Sequence, residues 1–161
     1  MPLPAGRPLF HDLLASEVEA SERLLACLEE EHRILGQRDV GLLDKITQSK
    51  RHLLADLEIR VAAHEHLLQT QGLPQGKDGT ERLLQALPED APERALWHRL
   101  QTLALACRTQ NEINGRVIDM SRRQTKQSID ILLQRQGSSS VYSRHGETYS
   151  VRRPQGIIGK A

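Results

Sequence analysis

Few residues of this sequence have the types and the spacing that catalysis or metal binding requires. Glu29 and His32 show the Glu-x-x-His spacing of one half of a carboxylate di-iron site, but such a site needs a second copy, which the sequence lacks. We therefore interpret His32 as a surface-edge histidine beside an acidic run. His64 and His66 stand two residues apart, which on a helix directs them to different faces, so we expect both in water.

The cysteines and the glycine-rich segments add no catalytic motif. Cys27 and Cys107 lack the spacing of a redox or metal motif, so we expect buried, reduced thiols. Residues 72–78 are one residue too short for a phosphate-binding loop and end in Asp where that motif has Ser or Thr, and residues 156–161 also fail to match it. No Ser, His and Asp combination identifies a triad. The sequence therefore predicts a protein that is not an enzyme and has no metal or cofactor.

The composition favours an all-α protein. The chain has 161 residues and a formal net charge of +1, which fits one domain and gives no general reason to expect a nucleic-acid partner. It has 25 Leu but only four aromatic residues, whereas strands favour aromatic and β-branched side chains. No run approaches the ~20 apolar residues of a membrane span, and the first residues lack the apolar stretch of a secretory signal. We therefore expect a cytoplasmic protein without membrane insertion.

Apolar residues recur at helical spacing in four segments, residues 10–35, 40–70, 81–87 and 91–136. The first two are separated by only a few residues, which predicts an antiparallel hairpin with Gly36 ending the first helix and Asp39 capping the second. We expect this hairpin to pack on the long C-terminal helix in a coiled-coil-like domain over residues 1–136, followed by a flexible basic tail at 137–161. The glutamates between the apolar positions of the first helix are expected to face water: Glu17, Glu19, Glu22, Glu29, Glu30 and Glu31.

The last helix is too long for the other two to cover. Its later apolar residues therefore have no evident partner within the monomer: Val117, Ile118, Ile129, Leu132 and Leu133. They pair in a homodimer, are covered by the chain folding back, or receive a helix from another protein. Ordinary core packing after a bend at Gly115 is a further alternative, because glycine inside a helix marks a bend or a close helix contact.

Two short motifs resemble those of the FlgN-type flagellar export chaperones. Residues 111–118, NEINGRVI, look like the N-x-x-N-G-x-x-I signature of that family. Residues 142–146 are similar to its Tyr-Gly-x-x-Gly element, with Ser143 in place of the first glycine. The resemblance runs from about Leu13 to the end of the chain, and its earlier part is carried by Glu31, His32, Leu35, Asp39, Leu42, Ile46, Lys50, Leu53 and Leu54.

The resemblance implies a non-catalytic, substrate-specific chaperone in the cytoplasm. Such a protein binds hook-associated proteins, the subunits of the hook–filament junction, keeps them from assembling too early, and delivers them to the flagellar type III export apparatus. The signature residues are Asn111, Asn114 and Gly115. From their chemistry we expect Gly115 to permit close helix approach and the asparagines to fix the helix register or to cap a local break.

The client surface follows from the uncovered part of the last helix. We expect Val117, Ile118, Ile129, Leu132 and Leu133 to contact the C-terminal helical segment of the client. The alternative is a non-catalytic coiled-coil adaptor, or another secretion chaperone, with a different protein partner.

Overall fold

The computed structural model describes residues 6–137, with side chains described through residue 134. This part of the chain forms four helices and no strand: α1 (Arg7–Gln37), α2 (Val40–Thr70), α3 (Lys77–Gln85) and α4 (Pro92–Gly137). The predicted all-α fold is confirmed. Gly137 ends α4, and the rest of the expected tail, residues 138–161, lies outside the described residues.

The end of α1 and the start of α3 differ from the sequence prediction. Gly36 is helical, and the left-handed conformation that ends α1 belongs to Arg38, with a φ of 56°. Helix α3 begins at Lys77, four residues before the predicted start, although Gly79 lies inside it. A Cβ built on Gly79 would lie 1.8 Å from the carbonyl oxygen of Pro74. The glycine is therefore compatible with the helix because it lets the first turn of α3 pass close to the preceding loop.

The hairpin of α1 and α2 is antiparallel, as predicted, and Asp39 caps α2 by accepting a 3.0 Å hydrogen bond from the amide of Leu42. Helix α4 runs parallel to α1. Three of its contacts with α1 share a sequence offset of 86, namely Arg7 with Glu93, Ser21 with Cys107, and Leu28 with Asn114. This offset defines the register between the first and the last helix.

The main core lies where α3 joins the other helices. It contains Phe10, Leu14, Val18, Leu67, Leu68, Leu83, Leu84, Leu87, Ala91, Leu100 and Leu103. No residue of α2 between positions 40 and 63 is buried. This cluster therefore occupies the end of the hairpin that α3 covers, whereas buried apolar residues of α1 continue to Ile34. The leucines in the first two thirds of α2 stay partly exposed.

The chain divides into two compact units, Met1–Arg122 and Arg123–Ala161. The described part of the second unit is the end of α4, residues 123–137. Across residues 6–137, no helix combines the length and the apolar character needed to cross a bilayer.

Candidate functional site

Asn114, the second asparagine of the signature, lies at the centre of a buried polar contact between α1 and α4. Its side chain is 1% exposed. The amide nitrogen donates to the carbonyl oxygen of Leu28 and to Oε2 of Glu31, each at 2.8 Å. The amide oxygen lies 3.1 Å from Nε2 of Gln110 and 3.1 Å from Nδ1 of His32. Two donors and two acceptor positions are thereby occupied, which is the full capacity of an amide side chain.

The partners of Asn114 fix both its orientation and the hydrogen on His32. A backbone carbonyl and a carboxylate only accept hydrogen bonds, so the atom that faces them must be the amide nitrogen. The opposite atom is then the oxygen, and His32 must carry a hydrogen on Nδ1 to donate to it. A slip of α4 by one residue would leave several of these groups buried without partners, so Asn114 fixes the register of α4 against α1.

Glu31 extends this contact to α2. Its carboxylate is buried and accepts a 2.6 Å hydrogen bond from Nζ of Lys50 as well as the bond from Asn114. The expectation that Glu31 faces water was wrong, because the two hydrogen bonds compensate for the loss of solvent. Sequence position alone carried little signal for this pair, since residue 31 lies 7 residues before the turn at residues 38–39 and residue 50 lies 11 residues after it.

A second buried polar cluster joins α1, α2 and α3. Nδ1 of His64 lies 2.9 Å from Oε1 of Glu17, and Nε2 lies 3.3 Å from the hydroxyl oxygen of Thr80. All three side chains are buried, so the expectation that Glu17 and His64 are solvated was wrong, whereas His66 is exposed. Both side chains are buried because each has a polar partner on the other helix of the hairpin, and Thr80 of α3 adds a further contact to His64.

Asn111 and Gly115, the other signature residues, lie at the surface. Asn111 is exposed, and a Cβ built on Gly115 would meet no atom within 4 Å. The expected close helix approach at Gly115 is therefore absent, and α4 continues through this position without the local break that the asparagines were expected to cap. Among the contacts within residues 6–137, Asn114 is the signature residue that joins two helices.

The predicted client-binding residues fall into the two compact units. Val117 and Ile118 belong to the first unit and are half-buried, and Ile118 follows Asn114 by one helical turn. In the second unit Ile129, Leu132 and Leu133 are 50%, 59% and 60% exposed. Their spacing of three and four residues places these three side chains on one face of α4, where they form an exposed apolar patch.

The described residues were compared with the requirements of a metal site and of a reactive thiol. Within residues 6–137, no group of three or more His, Cys, Asp and Glu side chains could hold a metal ion. The thiols of Cys27 and Cys107 are free, and burial raises the pKa of each above its ordinary value. Thiols with a raised pKa are poor nucleophiles near neutral pH.

The fold and these contacts define an all-α protein in which buried polar side chains align three long helices. A model of the FlgN protein family matches residues 9–150, which is most of the chain. The chain therefore belongs to the FlgN family, and this membership carries a chaperone role in flagellum synthesis. Members of this family are not known as enzymes.

A solved structure supports the same relationship. It is described as a flagella synthesis protein FlgN from Pseudomonas aeruginosa, and it is similar to this chain with a TM-score of 0.62 and 25% sequence identity. The similarity covers 80% of this chain and 98% of that one. No curated protein matches the chain.

Proposed function

We propose that the protein is a cytoplasmic chaperone for hook-associated proteins. It binds their C-terminal helical segments, prevents premature assembly, and delivers them to the flagellar type III export apparatus. The family membership supports a flagellar chaperone, and the client and the delivery step are our proposal.

The observation that carries the proposal is the exposed apolar patch of Ile129, Leu132 and Leu133. Three adjacent aliphatic side chains on one helix face offer the spacing that a client helix uses in helix-in-groove binding. Val117 and Ile118 provide further contacts. A surface of this size gives modest affinity, which suits a chaperone that must release its client at the export apparatus.

Replacing Leu132 and Leu133 together with Asp tests the client surface. Burial of a leucine contributes about 1.5–3 kcal/mol, so we expect the double variant to bind a hook-associated protein at least about 100-fold more weakly. Isothermal titration with the full-length client measures this, and circular dichroism verifies that the helices persist.

A matched control places the same charges on another face of the same helix. Gln127→Asp with Ile131→Asp changes two exposed positions that point away from the patch, and client affinity should stay within about twofold. Equal losses in both variants would locate the client elsewhere. A wild-type protein that binds no hook-associated protein would favour the coiled-coil adaptor.

A further inference from the structure

The dipeptide Asn114–Gly115 joins two residues whose neighbouring groups can react with each other. The chain has two asparagines, and Asn114 is the one followed by glycine, whereas Asn111 is followed by Glu112. Deamidation of an asparagine begins when the backbone nitrogen of the next residue attacks the side-chain Cγ, and glycine offers the least steric resistance because it has no side chain. The residue that aligns α1 and α4 is therefore also the asparagine most prone to deamidation.

No described neighbour requires a glycine at position 115. A Cβ built there would meet no atom within 4 Å, and the φ of Gly115 does not lie in the left-handed region. Glycine also lowers the stability of a helix relative to alanine. Gly115 thus weakens α4 and makes the side chain of Asn114 more reactive, without a packing contact that would explain it.

The packed helix blocks the reaction. The amide of Gly115 lies inside α4, where each N–H bonds to the carbonyl oxygen four residues earlier. The side chain of Asn114 is 1% exposed, and its hydrogen bonds to α1 and to Gln110 hold it in place. The backbone nitrogen therefore cannot reach Cγ until α4 opens at this position.

Asn114 lies at the edge of the packed part of α4. Its side chain is buried, whereas no side chain described from residue 115 to residue 134 is buried. Segments with few buried contacts open at a lower free-energy cost than the rest of a fold. Unwinding of α4 from its exposed end therefore reaches Asn114 before it reaches the core residues Leu100 and Leu103.

We propose that Asn114–Gly115 is a site of spontaneous deamidation, which is protected while α4 packs on α1 and reacts when α4 unwinds as far as Asn114. The backbone nitrogen of Gly115 forms a bond to Cγ of Asn114, and the bond from Cγ to Nδ2 breaks. The amide group leaves as ammonia, which carries away the proton lost from the nitrogen of Gly115. Water then hydrolyses the resulting succinimide at one of its two carbonyl groups, which yields isoaspartate or aspartate at position 114.

Either product prevents α4 from returning to its place on α1. An aspartate carboxylate only accepts hydrogen bonds, so it cannot donate to the carbonyl oxygen of Leu28, and it adds a negative charge beside the buried carboxylate of Glu31. Isoaspartate adds a methylene group to the main chain, which interrupts the helical hydrogen bonds of α4. A transient opening of α4 thereby becomes a permanent loss of this contact.

Peptide mapping of the full chain tests the proposal, because one tryptic peptide, residues 109–116, contains both asparagines. The protein is incubated in mildly alkaline buffer, with and without an unfolding concentration of urea, and tandem mass spectrometry locates the replacement of NH2 by OH. In urea, Asn114 should deamidate at least about tenfold faster than Asn111, since only Asn114 precedes a glycine. In native buffer, Asn114 should react at least about 100-fold more slowly than in urea.

The dependence on urea identifies the opening that leads to reaction. A local opening of α4 exposes little surface, so urea concentrations below the unfolding transition should change the native rate less than about twofold. Global unfolding exposes the whole core and would make the rate rise steeply over the same range.

Two matched glycine variants separate reactivity from stability. Gly36→Ala and Gly115→Ala make the same change inside a helix, and neither new Cβ meets an atom within 4 Å. In urea, Gly115→Ala should slow deamidation of Asn114 at least about tenfold, whereas Gly36→Ala should leave it within about twofold. Gly36→Ala should also leave the native rate within about twofold, since residue 36 lies in α1 and does not affect a local opening of α4.

Variants that carry the product test the structural consequence. Asn114→Asp should lower the midpoint of thermal unfolding by at least about 5 °C, because it leaves buried groups unpaired. Asn111→Asp makes the same change at an exposed position and should lower the midpoint by less than about 2 °C.

Four results would overturn the proposal. Similar rates at Asn114 and Asn111 in urea would show that Gly115 does not make the site reactive, and a native rate close to the rate in urea would show that α4 gives no protection. A native rate that rises steeply with low urea or falls in Gly36→Ala would assign the reaction to global unfolding. An Asn114→Asp variant as stable as wild type would show that the contact survives deamidation.

Discussion

At the scale of single residues, stability depends on polar groups that are buried but fully bonded. Asn114 is the clearest case, because every hydrogen-bonding position of its amide is occupied. Asn114→Ala leaves the carboxylate of Glu31 and the carbonyl of Leu28 with fewer bonds in a buried site. Since each unsatisfied group costs about 1–3 kcal/mol, we expect the free energy of unfolding to fall by about 3 kcal/mol in urea titrations.

Asn111→Ala is the matched control for this prediction. It makes the same chemical change one turn earlier, at an exposed position, and gains the same helix propensity. We expect its free energy of unfolding to stay within about 0.5 kcal/mol of wild type. Equal losses in the two variants would contradict the role of Asn114 in aligning the helices.

The pair of Arg7 and Glu93 makes stability depend on pH. Nε and a terminal nitrogen of Arg7 donate to the two carboxylate oxygens of Glu93 at 2.9 and 3.2 Å. The hydrogen bond from Arg7 holds the pKa of Glu93 below its ordinary value of 4.5. A carboxylate with a lowered folded-state pKa stabilises the protein above its unfolded-state pKa, and this stabilisation is lost as the pH falls through the folded-state pKa.

Glu93→Gln should therefore be less stable than wild type at pH 7, and the difference should shrink as the pH falls from 6 to 3. The remaining carboxylates titrate in both proteins, so the difference between them isolates Glu93. Urea midpoints followed by the fluorescence of Trp97 at several pH values measure it. A difference that stays constant with pH would show that Glu93 does not contribute through its charge.

At the scale of helices, the sequence predicts the long helices and their bounds more closely than the short one, since α2 spans the predicted 40–70 whereas α3 starts four residues early. Apolar spacing located α1, α2 and α4 because a helix that packs on one side repeats its buried positions every three to four residues. The burial of Glu17, Glu31 and His64 was missed, because it depends on partners that only the hairpin register brings together. The early start of α3 was missed because Gly79 has a low helix propensity. The close approach of Pro74, which requires a glycine at this position, is not visible in the sequence.

Two glycines inside helices should respond in opposite directions to the same substitution. Gly79→Ala places a methyl group 1.8 Å from the carbonyl oxygen of Pro74, so α3 or the loop must move and stability should fall by at least about 2 kcal/mol. Gly115→Ala meets no atom within 4 Å and should raise stability by about 1 kcal/mol through helix propensity. Thermal unfolding of the two variants measures both signs, and a loss of stability in Gly115→Ala would indicate a contact above that position.

At the scale of the whole molecule, the candidate client surface could be predicted from sequence only in part. Helix lengths predict that the end of α4 has no cover within the monomer, and Ile129, Leu132 and Leu133 are 50%, 59% and 60% exposed. An apolar groove between α1, α2 and α4 left no signal in the sequence, because its lining residues Leu24, Leu28 and Leu54 repeat at ordinary core spacing. Which core positions stay uncovered depends on the length and place of α3, and apolar spacing does not encode either.

Removal of residues 123–161 separates folding from client binding. The described core residues and the contacts of Asn114, His64 and Glu93 all lie within residues 6–122. The shortened chain should therefore unfold cooperatively with a midpoint temperature within a few degrees of the full chain, since about 1 kcal/mol shifts the midpoint by roughly 2–8 °C in a domain of this size. It should also lose measurable affinity for a hook-associated protein in isothermal titration, because the exposed patch on α4 is gone. A shortened chain that fails to fold would show that the second unit contributes to the first, and one that keeps full client affinity would move the client surface into residues 6–122.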